Sequence, residues 1–273
     1  MTDRYAVIGH PIAHSKSPQI HTAFAQATGQ DLTYTAIEAP LDGFADTVRA
    51  FRASGGRGVN VTLPFKLQAC ELADEAREAA RLAGAANALK LDGDRIVADN
   101  FDGIGLVNDL QRNLGRTLKG RRVLLLGAGG ATRGAILPLA QQGPALMAVA
   151  NRTAAKAHAL RADFAAHVNL QTGGYDELAG ETFDIVINAT SATLSGDSLP
   201  LPASLFAPGA LAYEMVYGKG LTPFLRQARA AGVETLADGV GMLIEQAAEA
   251  FLWWRGVRPD TRAVIQRLSV PLV

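Results

Sequence analysis

Cysteine is almost absent. Cys70 is the only one in 273 residues, so no intrachain disulfide can form and a reducing compartment is expected. Net charge is missing as well: 26 basic and 26 acidic side chains cancel, and neither sign gathers into a run. That balance argues against nucleic acid or an anionic membrane surface as the main partner. No apolar run reaches the roughly 18 residues of a membrane-spanning helix. The opening Met1-Thr2-Asp3-Arg4 has no leader pattern, and a cytoplasmic protein is expected. Repeats, low-complexity tracts and flexible linkers are lacking, which sets aside solenoid and fibrous architectures. His10, His14 and His21 have no metal-ligand spacing, and no metal is expected. What is plentiful is apolar content, at 48%, and glycine, at 28 residues. Together with the length, these indicate an α/β enzyme of one large or two medium domains.

One stretch organises the chain. Val123-Leu124-Leu125-Leu126 reads as a buried strand, runs into Gly127-Ala128-Gly129-Gly130, and is followed at once by a helix-compatible segment from Ala131 to Gln142. Bare backbone N–H groups and a helix N-terminus are thereby brought together, an arrangement that holds a dinucleotide pyrophosphate. The fingerprint is imperfect: Gly127 and Gly129 fit, but Thr132 stands where a third glycine is expected. A strand, glycine turn and helix without a ligand would look the same. The next strand, Ala145 to Ala150, ends in Asn151-Arg152-Thr153. An NAD site wants a carboxylate there for the ribose 2′-hydroxyl. None is present. Instead Arg152 and Lys156 flank Thr153, which is placed to cap a helix running to about Phe164. Basic residues oppose the helix dipole at that end, so a dianionic 2′-phosphate explains them better than chance exposure, and the cofactor is expected to be NADP(H).

Before this stretch, Tyr5 to Ile8 is a short strand broken by Gly9-His10-Pro11. Ser17 is a candidate N-cap with Pro18 at the first helical position, and that helix stops at Gly29. Ser15 and Ser17 lie just past a strand end, where hydroxyls can bond a carboxylate or a polyol; capping alone would account for Ser17. Strand, helix, strand follows over Thr33–Ile37, Gly43–Ala53 and Gly58–Thr62, the pattern of a parallel sheet. Lys66 then begins a helix against its dipole, which makes it an acid–base candidate as well as a possible surface lysine. Glu71 to Leu82 has the pattern of a charged amphipathic helix, and Asp92-Gly93-Asp94-Arg95 signals a hairpin that puts one antiparallel strand into the first sheet. Asp102 before Gly103 is either a helix cap or a carboxylate partner for Lys66. Later strands, at Phe183–Ile187, Leu211–Val216 and Val233–Leu236, carry polar groups or tight turns at their ends, including Asn188-Ala189-Thr190-Ser191 and Tyr217. Pro138 interrupts the first helix of this half. Gln246 sits mid-helix, facing either a ligand or water.

Assembled, these motifs resemble the shikimate dehydrogenase family from end to end. Val7 to Pro18, Asn60-Val61-Thr62-Leu63-Pro64-Phe65-Lys66, Gly84-Ala85-Ala86-Asn87, the glycine turn, Asn151-Arg152-Thr153 and Asp238 through Gln246 all fit its pattern. Departures are mild: Thr22 replaces a usual asparagine, Phe101 a usual threonine and Glu214 a usual aspartate. The resemblance implies NADP(H)-linked interconversion of 3-dehydroshikimate and shikimate in aromatic amino-acid biosynthesis. It implies substrate contacts from Ser15, Ser17, Thr62, Asn87, Asp102, Tyr217 and Gln246, and a catalytic pair formed by Lys66 and Asp102. On the cofactor side it implies Gly127, Ala128, Gly129, Gly130, Ala131, Asn151, Arg152, Thr153 and Lys156, with Met215 and Gly239 bordering the nicotinamide and Glu78 a weaker candidate. The expected architecture is α/β with two domains. Residues 1–102 plus 238–273 form a mixed-sheet substrate-binding domain, residues 103–237 form a Rossmann-type doubly wound domain, and a cleft lies between them. Shikimate or 3-dehydroshikimate is the expected partner, without nucleic acid or membrane, in a monomer or homodimer. Two other readings stay open: a quinate/shikimate dehydrogenase with relaxed cofactor use, which Arg152 and Lys156 count against, and a non-catalytic ligand sensor, which the presence of both Lys66 and Asp102 disfavours.

Overall fold

The computed structural model describes residues 2–192 and 196–272. The chain divides into two compact units, Met1–Gly105 with Ile244–Val264, and Leu106–Leu243 with Ile265–Val273.

The first unit is built on β1 (Asp3–Gly9), β2 (Leu32–Glu38), β3 (Gly56–Val61), β4 (Glu75–Ala76), β5 (Ala88–Asp92) and β6 (Arg95–Asp99), in the spatial order β2-β1-β3-β5-β6-β4. β5 alone runs against its neighbours, as the hairpin signal predicted. Helices α1 (Ser17–Thr28), α2 (Phe44–Ala53), α3 (Lys66–Leu72) and α4 (Glu78–Ala83) accompany this sheet. Its core gathers Ala6, Ile8, Phe44, Val59, Phe65 and Leu89. Ala6, Ile8, Val59 and Leu89 come from strands with near-continuous apolar burial, the signature of a covered sheet, while Phe44 starts α2 and Phe65 precedes α3.

Two local expectations fail in instructive ways. Ser17 is the first residue of α1, not its cap; the cap position is Lys16, and no side chain caps there. The charged helix expected over Glu71–Leu82 is cut in two. Asp74 exchanges hydrogen bonds with the Ile96 backbone, and Glu75-Ala76 pairs with Val97-Ala98 of β6. An open sheet edge offering backbone partners outweighs helix propensity, which is worth only a few tenths of a kcal/mol per residue.

The second unit is a six-stranded parallel sheet of β7 (Arg122–Leu126), β8 (Leu146–Ala150), β9 (Leu170–Gly173), β10 (Phe183–Asn188), β11 (Phe206–Glu214) and β12 (Thr235–Asp238), ordered β12-β11-β10-β7-β8-β9. That is the doubly wound Rossmann order, with its switch point where β7 meets β10. Edge strand β9 is only four residues long and too short to show a period, so the sequence did not reveal it. Helices α5 (Asp102–Asn108), α6 (Gly130–Ala140), α7 (Ala154–Asp163), α8 (Pro223–Ala230), α9 (Val240–Arg255) and α10 (Arg262–Leu268) complete the chain. The divisions between units fall inside α5 and α9, and Ile265–Val273 groups with the second unit.

The substituted glycine position is explained. Thr132 is fully buried on α6, and its hydroxyl donates to the Gly127 carbonyl at 2.8 Å, tying the helix back onto the turn. Gly127 itself has φ 103°, a conformation other residues rarely adopt.

Candidate functional site

In the first unit the sheet's topology assembles a polar cluster at one end. β1 and β3 are parallel neighbours, so the loops after Gly9 and Val61 leave the same edge. β5 is antiparallel, so the residue before it, Asn87, starts at that edge, and β6 ends there at Asp99. Backbone bonds lock the arrangement: Thr62 donates to Ile8, Val61 to Asn87 and Asn87 to Asp99.

Lys66 is the first residue of α3, where the helix dipole disfavours a cation. Its ammonium donates to Asp102 Oδ2 at 2.5 Å, and both side chains are mostly shielded, at 29% and 17% exposure. The other Asp102 oxygen accepts from Asn87 Nδ2 at 2.8 Å. Asn87 Nδ2 also reaches Gln246 Oε1 at 3.1 Å, and Asn87 Oδ1 accepts from the Phe101 backbone at 2.9 Å. Asp102 therefore uses its carboxylate to hold Lys66 and Asn87, while its own backbone N–H is taken by Asn100 Oδ1. The Phe101 ring is buried with Ala88, Ala250 and Trp253. Ser15 receives the Ser17 backbone N–H on its hydroxyl at 3.3 Å. Glu78 is exposed at the start of α4 and shares no hydrogen bond with this cluster.

Next to the cluster, His21 is 1% exposed, and its Nε2 has no hydrogen-bond partner. Its ring stacks on Tyr34 and lies against Phe24, Phe251 and Trp254. Burial pulls its pKa down to about 3, against a smaller opposing effect of the Asn60 side chain. The folded protein therefore keeps a neutral imidazole that the unfolded chain would protonate below about pH 6.5. Stability linked to His21 is complete above that pH and falls as pH drops toward 3, with a slope of up to about 1.4 kcal/mol per pH unit. In urea unfolding series from neutral to mildly acidic pH, His21→Phe should lose less stability than the parent. Parallel curves for the two proteins would exclude the effect.

In the second unit the candidate residues stand at the carboxyl ends of β7, β8, β11 and β12. A Cβ placed on Gly129 or Gly130 would meet nothing within 4 Å, so this turn leaves open space against bare backbone at the start of α6. Ala128 and Ala131 flank these two glycines. Arg152 and Lys156 are exposed at the start of α7, and neither forms an ion pair among the described residues. Thr153 occupies the N-cap position but makes no side-chain cap; Asn151 Nδ2 instead donates to the Thr153 carbonyl at 2.9 Å. The Thr153 hydroxyl is thus left exposed beside two cations. Gly239 packs against Met215 so closely that a Cβ would strike its carbonyl. Tyr217 is 39% exposed in the loop after β11. Unpaired cations, a free hydroxyl and an uncovered glycine turn fit the adenosine 2′-phosphate and pyrophosphate of NADP(H). No cluster of potential metal ligands occurs among the described residues, and no helix there is long and apolar enough to cross a membrane.

Comparison with known proteins agrees along the whole length. The pattern of the shikimate dehydrogenase substrate binding domain matches residues 7–89, that of shikimate / quinate 5-dehydrogenase residues 109–195, and that of the shikimate 5′-dehydrogenase C-terminal domain residues 239–268. Shikimate dehydrogenase (NADP(+)) of Nitrosospira multiformis is 56% identical over 272 residues, covering 100% of this chain and 99% of its own. Among solved structures, an Ael1 enzyme from Pseudomonas putida superposes with TM-score 0.95 at 60% identity, over 100% of both chains. Shikimate 5-dehydrogenase from Thermus thermophilus, in complex with NADP(H) and shikimate, superposes with TM-score 0.86 at 33% identity, over 97% of this chain and 98% of its own. With three family patterns matched in order and relatives aligned over their full length, the chain belongs to the shikimate dehydrogenase family.

Proposed function

We propose that the protein catalyses the reversible NADPH-linked reduction of 3-dehydroshikimate to shikimate, a step of aromatic amino-acid biosynthesis in the cytoplasm. The observation that carries this reading is the Lys66–Asp102 contact at 2.5 Å, braced by Asn87 at the end of the first sheet. In this reading the first unit takes the substrate. Ser15, Ser17, Thr62, Asn87 and Gln246 bind its carboxylate and hydroxyls, and Tyr217 adds a contact. The second unit takes NADP(H): the Gly127–Ala131 turn holds the pyrophosphate, Asn151, Arg152, Thr153 and Lys156 hold the 2′-phosphate, and Met215 and Gly239 border the nicotinamide. Glu78 is a further cofactor-side contact.

When bound, NADPH supplies the hydride for the ketone carbon. The chain's own task is to manage the charge that grows on the ketone oxygen. Lys66 donates its ammonium proton to that oxygen; in the reverse direction, its neutral amine takes the hydroxyl proton. Asp102 holds the lysine in place, and the network through Asn87 fixes Asp102 in turn. Because these groups are held before substrate arrives, little reorganisation is left for the reaction.

The test is a steady-state comparison of shikimate and quinate, each with NADP⁺ and NAD⁺, following nicotinamide absorbance. Shikimate with NADP⁺ should give the highest kcat/KM of the four. A preference for quinate or for NAD⁺ would replace this reading with the broader dehydrogenase; no turnover of any pair would favour a ligand sensor.

A further inference from the structure

Behind the Lys66–Asp102 contact lies a buried polar chain that proton transfer itself does not require. Tyr34, on β2, is 8% exposed, and its hydroxyl donates to Asn60 Oδ1 at 2.7 Å. Asn60, in the middle of the apolar run Val59-Asn60-Val61, is 5% exposed, and its Nδ2 donates to the Asn87 carbonyl at 3.2 Å. Asn87 continues the chain to Asp102.

We propose that Tyr34, acting through Asn60, is a positioning residue that fixes Asn87, and with it Asp102, in the substrate site. This rests on the reading of the preceding subsection, in which Asn87 touches substrate. A single phenol is tied, through one amide, to Asn87 and Asp102. An amide inside an apolar strand is costly unless both its ends are satisfied, and here both ends are spent on this chain. The amide cannot turn over while Tyr34 donates to its oxygen, so its Nδ2 stays on the Asn87 carbonyl beside the Val61 backbone N–H. The Tyr34 ring is held as firmly as its hydroxyl. The His21 imidazole lies parallel to it, at 2° and with centroids 4.2 Å apart. His21 is itself packed among aromatic rings, which blocks tilting of the phenol.

Tyr34→Phe keeps the ring and its stacking and removes only the hydroxyl. The expected result is a fall of about tenfold in kcat/KM for shikimate, the size of one lost buried hydrogen bond, with KM for NADP⁺ unchanged. Asn60→Ser should give a similar loss, and the double variant should lose less than the two combined, because both act through one chain. A purely structural role would instead lower Tm and leave kcat/KM for shikimate near the parent value at 25 °C. That outcome would overturn the proposal, as would equal losses toward both substrates or strictly additive losses. A parent protein inactive on shikimate is a separate result: it removes the proposed function, and the positioning role with it.

Discussion

Lys66→Ala should lower kcat by about 10²–10⁴-fold while KM for shikimate moves little, the range for loss of a positioned general acid. The expectation comes from how the amine is held. α3 starts at Lys66, so its dipole disfavours the cation, and the bond to Asp102 at 2.5 Å offsets that effect. Removing the amine leaves the growing charge on the ketone oxygen without a proton source, a defect felt in the transition state more than in the bound ground state. Lys66→Arg is the sharper variant. It keeps a positive charge that can pair with Asp102, but a guanidinium does not give up its proton at ordinary pH. If Lys66 serves only to bind, the arginine variant should recover most of the activity. If it transfers a proton, the arginine variant should stay near the alanine level. Stopped-flow measurement of the first turnover, together with kcat, separates the chemical step from product release. A Lys66→Ala enzyme with the parent's first-turnover rate would remove Lys66 from the mechanism.

How far the sequence revealed this arrangement varied with the kind of signal. Apolar runs ending in glycine or proline marked most strands, because a covered sheet demands near-continuous apolar residues and a turn demands special backbone angles. Lys66 and Asp102 were each visible as ambiguous singles; what sequence spacing does not give is their meeting, which depends on β6 lying two places from β3 across an antiparallel β5. Asn60 is legible only as a polar residue inside an apolar strand, and Tyr34 resembles any aromatic of an alternating strand. Their partnership exists only once β1 has been inserted between β2 and β3. The false long helix over Glu71–Leu82 has the same origin. Its residues favour a helix locally, and only the free edge of β6, made by residues later in the chain, draws Glu75-Ala76 into a sheet. Thr132 shows the converse. It broke the glycine fingerprint as a letter pattern, yet its hydroxyl does a structural job at the Gly127 carbonyl.

Cofactor choice gives the other large effect. Arg152→Ala is expected to raise KM for NADP⁺ about 10–100-fold, the loss associated with a charge-assisted hydrogen bond, and to change KM for NAD⁺ by less than about twofold. The asymmetry follows from the surroundings of Arg152. It is exposed and makes no ion pair among the described residues, so its charge is committed to no protein carboxylate that the substitution would orphan. The fold should therefore tolerate its loss, and the effect should appear only where a 2′-phosphate is present. Lys156 sits in the first turn of α7 and remains after the substitution, so part of the preference should survive; Arg152→Ala with Lys156→Ala should remove most of the rest. Because both cations are exposed, their attraction for a dianion is screened at a Debye length of about 8 Å near physiological salt. Raising ionic strength should consequently narrow the NADP⁺ over NAD⁺ preference in the parent and change it little in the double variant. Equal weakening of both cofactors by Arg152→Ala would mean that the guanidinium supports the dinucleotide site as a whole rather than its phosphate. Selectivity would then have to come from the exposed Thr153 hydroxyl and the backbone at the start of α7, which a Thr153→Val variant would test directly.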